Sequence, residues 1–458
     1  MNQVTPEQYR SFVLSCNPDV VTALSDIPFT PPPFSQKRIT KSLERSITWL
    51  SSLLQPLPEP YPDLSCEKPH PLNIFVHMCG DTSEAARQAF SDSLLETLHG
   101  KDAEMVKPYK RLDDAVTGYS FDLVPLRSSV VAPTVGEDYE NNAKYSEQTP
   151  NRRTLDTKPF TRPNTNIALP EFITLLQSSL RPLPTGKPRI VTGASSPHEV
   201  LRLINEIGVD LFDVAWAQKA ADWGIALDFA FPVRCFNKQD ENVSPPKQRE
   251  NGKRDLGHNL YLSDYAMDFS RLANSFVDGA STSAPTGCEI MCPCITCSPT
   301  SPTEQITHSS VDVIHRPSEC TIYESPFSRA YLHHLLHTHE MSAHALLAAH
   351  NLAVAEAFFT SVRALLGECV LNSLDSQGRS QSTSNADLSR FTREVTRFFE
   401  VYDSHLQLFE EAKQDWIAVD YARGKGRLAR EKAKLGEVNL STKVEKVAEL
   451  DERSTEVS

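Results

Sequence analysis

The chain has 458 residues, 40% hydrophobic and 23% charged, which is ordinary globular usage and excludes a disordered or fibrous protein. Lys plus Arg number 46 against 59 Asp plus Glu, a net charge of −13, so nucleic-acid contact is confined to local patches. No run approaches the roughly 18 uninterrupted apolar residues of a spanning helix, and the start, MNQVTPEQYR, lacks the basic-then-apolar pattern of a secretory signal. The expectation is a soluble chain without membrane insertion.

In chain order, Thr5, Pro6 and Gln8 spell a capping box opening a helix with Phe12 and Val13 on its apolar side. DVVTAL at 19–24 reads as a buried strand. Ile39, Leu43, Ile47, Leu50 and Leu54 then recur at helical spacing. LNIFVHM at 72–78 is a second strand, followed by a helix capped by Asp81 or Thr82 and running to about Leu98. AVTGYSFDLV at 115–124 is a third strand. Residues 127–187 break the rhythm and read as an insertion loop with a short helix near 169–180. The alternation resumes with a strand at Arg189–Thr192, a helix at His198–Ile207, and strands at Asp210–Val214 and Ile225–Phe231. A polar loop over 236–256 precedes the short apolar run HNLYL at 258–262. Strands alternating with helices at this spacing mean parallel βα units and an α/β fold.

Beyond 264 the chain becomes cysteine-rich, then Ser/Thr/Pro-rich over 298–310, and a histidine-rich helix opens at Ser328. A Ser/Gln/Asn linker over 372–385 precedes an amphipathic helix over 386–420, with Leu388, Phe391, Val395, Phe398 and Tyr402 on its apolar face. The tail over 421–458 is charged, lacks an apolar stripe and reads as solvated. Its basic run from Arg423 to Lys434 suits nucleic-acid phosphates or plain solvent, and solvent is the commoner use of a charge run.

Of ten cysteines, Cys288, Cys292, Cys294 and Cys297 fall close together. Such bunching favours a metal over disulfides and makes the cytoplasm the default compartment. Cys292, Cys294 and Cys297 can wrap one face of a tetrahedral Zn²⁺, leaving one vertex. His333, His334, His337, His339, His344, His350, Cys288 and Cys320 are all candidates for that vertex, and spacing alone does not choose. Four protein ligands mean one structural zinc with no open position for water.

CPCITC followed by SRAYLHHLLHTHEMSAHALLAAHNL resembles the zinc subdomain of the tRNA-guanine transglycosylases, (β/α)8 TIM-type barrels that exchange a base in tRNA. HNLYLSDYAMDF, GVDLFDVAWAQKAADWG at 208–224 and TPEQYRSFVLSCNPDVVTALSD extend the resemblance upstream. It implies that His350, in the His350-Asn351 pair, completes the zinc site. It further implies a barrel portion over 1–263 with insertions at 127–187 and 236–256, and a zinc-binding subdomain with closing helices over 264–371.

The departures from the family bear on function. Asp213 matches the position of the family's carboxylate nucleophile, but Ala217, Gln218, Lys219 and Asp222 stand where catalytic members carry their anion-holding arginines. Ser25-Asp26 replaces Asp-Glu, HMCG replaces the Gln-Gly segment, and Thr117-Gly118 and Asp122-Leu123 replace the Gly-Gly and Gly-Glu pairs. The Asp-Ser-Gly-Gly-Phe run is missing. Either the chain continues before Met1, or the barrel is N-terminally incomplete and leans on a partner. These departures resemble the family's non-catalytic subunit. The resemblance then implies no catalysis by the chain alone, with Asp213 vestigial, and a heterodimer with the catalytic subunit of a queuine tRNA-ribosyltransferase. That enzyme replaces guanine by queuine at the wobble position of tRNAs with GUN anticodons, those for Asp, Asn, His and Tyr. It acts on tRNA and not DNA, in the cytoplasm or at the mitochondrial surface. The competing reading is a self-sufficient base-exchange enzyme using Asp213.

Overall fold

Short β-branched and aromatic runs alternate with capped helices in the computed structural model, which describes residues 4–27, 34–56, 72–131, 165–233, 245–273, 292–298, 326–375 and 384–421. The chain divides into two compact units, Met1–Trp216 and Ala217–Ser458.

The first unit is a five-stranded parallel sheet, β1 (Val21–Thr22), β2 (Ile74–His77), β3 (Gly118–Asp122), β4 (Arg189–Thr192) and β5 (Leu211–Phe212), in sequential order. Register pairs Val21 with Ile74, Phe75 with Gly118, Tyr119 with Arg189, and Ile190 with Leu211. Its helices are α1 (Pro6–Cys16), α2 (Gln36–Leu53), α3 (Glu84–Leu95), α4 (Gly100–Met105), α5 (Leu123–Val131), α6 (Thr165–Leu180) and α7 (Pro197–Ile207), ending in α8 (Ala215–Asp222), which runs on past Trp216. The predicted capping box at Thr5 and Gln8 is formed. Val21, Ile74, Val76, Tyr119, Phe121 and Val191 of the strands bury against Leu50, Phe90, Phe172 and Leu203 of the helices.

Sequential parallel strands joined through helices leave all loops after β1 to β5 at one edge of the sheet, the end where barrels keep their chemistry. The described residues form this open five-stranded sheet, and no closed eight-stranded barrel is present among them.

Several boundaries differ from expectation. The strand expected over 19–24 keeps only Val21–Thr22. Ser83, not Asp81 or Thr82, caps α3, because Asp81 adopts a left-handed backbone, φ 51°. That helix ends at Leu95, short of Leu98. The strand expected over 115–124 stops at Asp122, since α5 starts at Leu123, inside what was read as strand and insertion. The helix near 169–180 begins earlier, at Thr165, and residues 132–164 of the insertion lie outside the described residues.

In the second unit, β6 (Ile225–Leu227) and β7 (Gly257–Asn259) pair antiparallel, so the strand expected over 225–231 is shorter and is not part of a parallel ladder. Next come α9 (Arg329–His337), α10 (Met341–Asp375) and α11 (Ser384–Val401). The single helix expected over 386–420 is two, because the chain breaks at Tyr402 and a further helix occupies 405–421. The Tyr402 and Asp403 backbones turn to meet Arg254 there. Phe391, Val395, Phe398 and Tyr402 are buried as the stripe predicted, and Phe398 and Tyr402 pack edge-on against Phe229. The linker over 372–385 is in part the end of α10, which reaches Asp375. Residues 422–458, with the basic run, lie outside the described residues.

Met341–Glu368 of α10 is long and apolar enough to cross a membrane by length and composition, with mean hydropathy 1.4. No run in it is uninterrupted, since His344, His350, Asn351 and Glu356 interrupt it. Ala343, Leu347, Val354, Phe358 and Val362 on this helix are core residues of the second unit.

Candidate metal centre and sheet-end pocket

Three cysteines within six residues share a centre only if the backbone curls. The amides of Cys297 and Ser298 both donate to the Cys294 carbonyl, at 3.2 and 2.9 Å, which draws the three sulfurs to one side of the turn. Thr296 Oγ1 donates to the Leu346 carbonyl at 2.8 Å and ties the turn to α10. One helical turn on, His350 Nδ1 lies 3.3 Å from Cys297 Sγ, 3.7 Å from Cys292 Sγ and 3.9 Å from Cys294 Sγ. The four ligand atoms lie within 4.8 Å of one another and all four residues are buried.

Two ligands each ~2.3 Å from a tetrahedral ion sit roughly 3.8 Å apart, so the spacing suits one metal ion. The ring orientation suits it too. His350 Nε2–H donates to the Leu227 carbonyl at 2.9 Å, which turns Nδ1 toward the sulfurs. Burial by itself lowers the His350 pKa, but the Cys292 and Cys294 sulfurs outweigh it and hold the value up to about 10. Hydrogen bonds from Cys292 and Cys297 drive Cys294 well below the ordinary thiol range, while giving such a bond pushes Cys297 above it. Four buried donors that contend for protons in this way are relieved by a dication that replaces the protons.

The other histidines named as candidates are engaged elsewhere. His333 Nδ1 donates to the Leu260 carbonyl at 2.8 Å, His337 Nε2 to Tyr261 at 3.1 Å, and His344 Nδ1 to Ala221 at 3.0 Å. His334 and His339 do not join the cluster. Cys288 and Cys320 lie outside the described residues.

A second buried polar group in this unit escaped the sequence reading. His258 on β7 has Nε2 at 2.9 Å from Asp228 Oδ2 and Nδ1 at 2.9 Å from the Tyr265 hydroxyl. Arg329 Nη2 lies 2.9 Å from the same Nε2 and 3.8 Å from Asp228 Oδ2, while Nη1 donates to Asp268 Oδ2 at 3.1 Å. Asp228, His258 and Arg329 are essentially inaccessible to solvent. Burial lowers the His258 pKa, with Arg329 adding to the effect and Asp228 opposing it. The available signal was one ionisable residue at the border of each apolar run, Asp228 after IAL, His258 opening HNLYL and Arg329 opening α9.

In the first unit, the loops after β1, β2 and β3 enclose a cavity of about 580 Å³, lined among others by Asp26, Trp49, His77, Cys79, Arg87 and Asp122. Arg38 donates to both Asp26 carboxylate oxygens at 2.7 Å, and Arg45 to one of them at 3.1 Å. The Arg38 hydrogen bonds hold the Asp26 carboxyl below the usual range against its partial burial. Burial pushes the Cys79 thiol up to about 11, lowers the His77 pKa, and lowers Arg87 to about 10. Three bonds from Arg38 and Arg45 take up most of the accepting capacity of the Asp26 carboxylate.

Asp213, directly after β5, spends Oδ2 on the Gly193 amide at 2.8 Å, and Oδ1 is buried without a hydrogen bond. Gly193 has φ 76°, and a side chain there would strike Val124. Gln218, in place of a family arginine, donates to Asp222 one helical turn on, at 3.0 Å.

Residues 164–381 match the family described as Queuine tRNA-ribosyltransferase. The chain is similar to proteins named queuine tRNA-ribosyltransferase accessory subunit 2. The Xenopus tropicalis protein is 28% identical over 214 residues, 46% of this chain and 45% of that protein. The Homo sapiens protein is 30% identical over 192 residues, 42% and 40% of the two chains. The Drosophila grimshawi protein is 24% identical over 220 residues, 48% and 39%. The matched stretch therefore spans less than half the length of each of these relatives. The resemblance drawn from the zinc segment and GVDLFD is borne out.

Proposed function

We propose that this chain is a non-catalytic subunit of a queuine tRNA-ribosyltransferase, acting in tRNA queuosine modification beside a catalytic subunit. The observation that carries the reading is the Arg38–Asp26 pair. It occupies the carboxylate after β1 with intramolecular bonds, where the resemblance sets Ser25-Asp26 against the Asp-Glu of catalytic members. The names of the similar proteins support the accessory role. The partner in this reading is the catalytic subunit in a heterodimer, the substrate is tRNA with a GUN anticodon, and the exchange is queuine for guanine at the wobble position.

Cys292, Cys294, Cys297 and His350 would hold one zinc ion in this reading. Four protein ligands give the ion a structural duty: it joins the cysteine turn to α10 and leaves no position for water. Buried thiols that must stay reduced to hold metal suit the cytosol, including the cytosolic face of mitochondria, where we place the complex.

The test is labelled-base exchange into tRNA by the chain alone, by the catalytic subunit alone and by the mixture, each repeated with Asp213→Ala. Activity in the mixture only, unaffected by Asp213→Ala, supports the accessory reading. Exchange by the chain alone that Asp213→Ala abolishes overturns it in favour of a self-sufficient transglycosylase.

A further inference from the structure

Strand β6 pairs with β7, and α10 touches the Leu227 peptide at both of its polar atoms. Leu227 N–H donates to Asn351 Oδ1 at 2.9 Å, and the Leu227 carbonyl accepts from His350 Nε2 at 2.9 Å. Two consecutive helix residues thus stand in for a missing neighbour strand. Asn351 Nδ2 donates to the carbonyls of Ile225 and Ala217, at 2.9 and 3.2 Å, so the amide also bridges β6 to the first turn of α8. Asn351 is fully buried, as is His350.

These bonds bear on the metal cluster. The nitrogen of His350 that faces the sulfurs is decided by which nitrogen finds the Leu227 carbonyl. That carbonyl is held in place through the N–H of the same residue, one Cα away, which Asn351 grips. We infer that Asn351 is a positioning residue for the metal centre: by clamping the Leu227 peptide it keeps His350 Nε2 protonated and Nδ1 presented to Cys292, Cys294 and Cys297. The inference rests on the reading that this cluster holds a zinc-like ion. An alanine at 351 leaves the Leu227 amide and two carbonyls without their buried partner, and an aspartate sets carboxylate oxygens against the Ile225 and Ala217 carbonyls.

The experiment uses the full chain loaded with Co²⁺, whose visible bands report ligand geometry, and measures metal release to a chelator. Wild type should take up one ion per chain. Asn351→Ala should shift the ligand-field bands and release the ion ~10–100-fold faster, the range usual for lost outer-shell partners of a metal ligand, and Asn351→Asp should do so more strongly. Phe358→Leu, a buried change two turns further along α10, is the control for general loosening. If Asn351→Ala keeps the wild-type bands and release rate while melting as early as Phe358→Leu, the residue is merely structural and the inference falls. Should Asn351→Ala fail to fold, hydrogen exchange on the wild-type chain decides. The Leu227 amide should be protected when loaded and exchange at least tenfold faster after metal removal, and equal protection in both states overturns the inference. A wild-type chain that takes up no Co²⁺ or Zn²⁺ overturns the metal reading itself, a result distinct from either.

Discussion

Arg38 donates to both carboxylate oxygens of Asp26 at 2.7 Å, at the sheet end that carries the loop after β1. The pair joins α2 to the loop after β1, and Arg45 backs it at 3.1 Å. Because the pair is only partly buried and Arg45 remains, Arg38→Leu should lower stability by about 1 kcal/mol at pH 7. The folded Asp26 pKa lies below its ordinary 3.8, so this stability is present above that value and is lost as pH falls through the folded value. Urea unfolding of wild type and Arg38→Leu should therefore differ at pH 7 and draw together as the pH falls below 3.8. A difference that persists undiminished in acid would mean that Arg38 stabilises through packing and not through Asp26.

Metal binding should be inseparable from the folding of the second unit. Cys292, Cys294 and Cys297 pack in one cluster with Leu260, Leu332, Leu336 and Leu347, so a collapsed thiol turn disturbs core and not surface. Structural zinc contributes on the order of 10 kcal/mol to the folding of small zinc domains. Cys294→Ser and His350→Ala should each bring metal content from one ion per chain to near zero by elemental analysis, and should broaden the thermal transition. An unchanged content in His350→Ala would reject His350 as a ligand.

His258 makes stability depend on pH in the opposite range from a surface histidine with an acidic partner. Burial depresses its pKa below 6.5 despite Asp228, so the folded state binds fewer protons than the unfolded. Its contribution is fully present above 6.5 and is lost as pH falls through the folded value. His77, lowered by burial as well, adds a slope of the same sign from the first unit. Denaturant midpoints should fall between pH 7 and pH 5.5 in wild type, and His258→Gln should flatten part of that fall. An equally steep fall in His258→Gln would assign the whole effect to other groups.

The parts of this molecule legible in the sequence are those set by local chemistry. Thr5 and Gln8 announced a capping box, the stripe from Phe391 to Tyr402 announced a buried helix face, and Cys292, Cys294 and Cys297 announced one side of a metal site. The fourth ligand was not legible from spacing, since six histidines share that stretch and the choice depends on which ring finds the Leu227 carbonyl 123 residues away. Only family resemblance pointed to His350. The helix break at Tyr402 and the antiparallel pairing of β6 with β7 also escaped, because both are decided by distant partners: Arg254 for the break, and Gly257 to Asn259 for the strand. Asp228, His258 and Arg329 are isolated charges in sequence and acquire meaning only as a buried group.

That buried group supplies a further severe substitution. The Arg329 guanidinium faces both Asp228 and Asp268, and its backbone amide also donates to the Ser270 carbonyl at 3.1 Å. Replacing it by a methionine of similar length keeps the packing but leaves two carboxylates without their cation, and breaking a buried pair this way costs about 3–5 kcal/mol. Arg329→Met should therefore unfold the second unit at much lower denaturant while the first unit, with its own core, keeps its midpoint. Adding Asp228→Asn removes one of the stranded charges, so the double variant should regain part of the loss, a coupling well beyond additivity for residues in contact. Far-UV circular dichroism against urea for wild type, both single variants and the double variant measures that coupling. Strictly additive effects would show that Arg329 acts on Asp268 and the helix start alone, with Asp228 satisfied by His258.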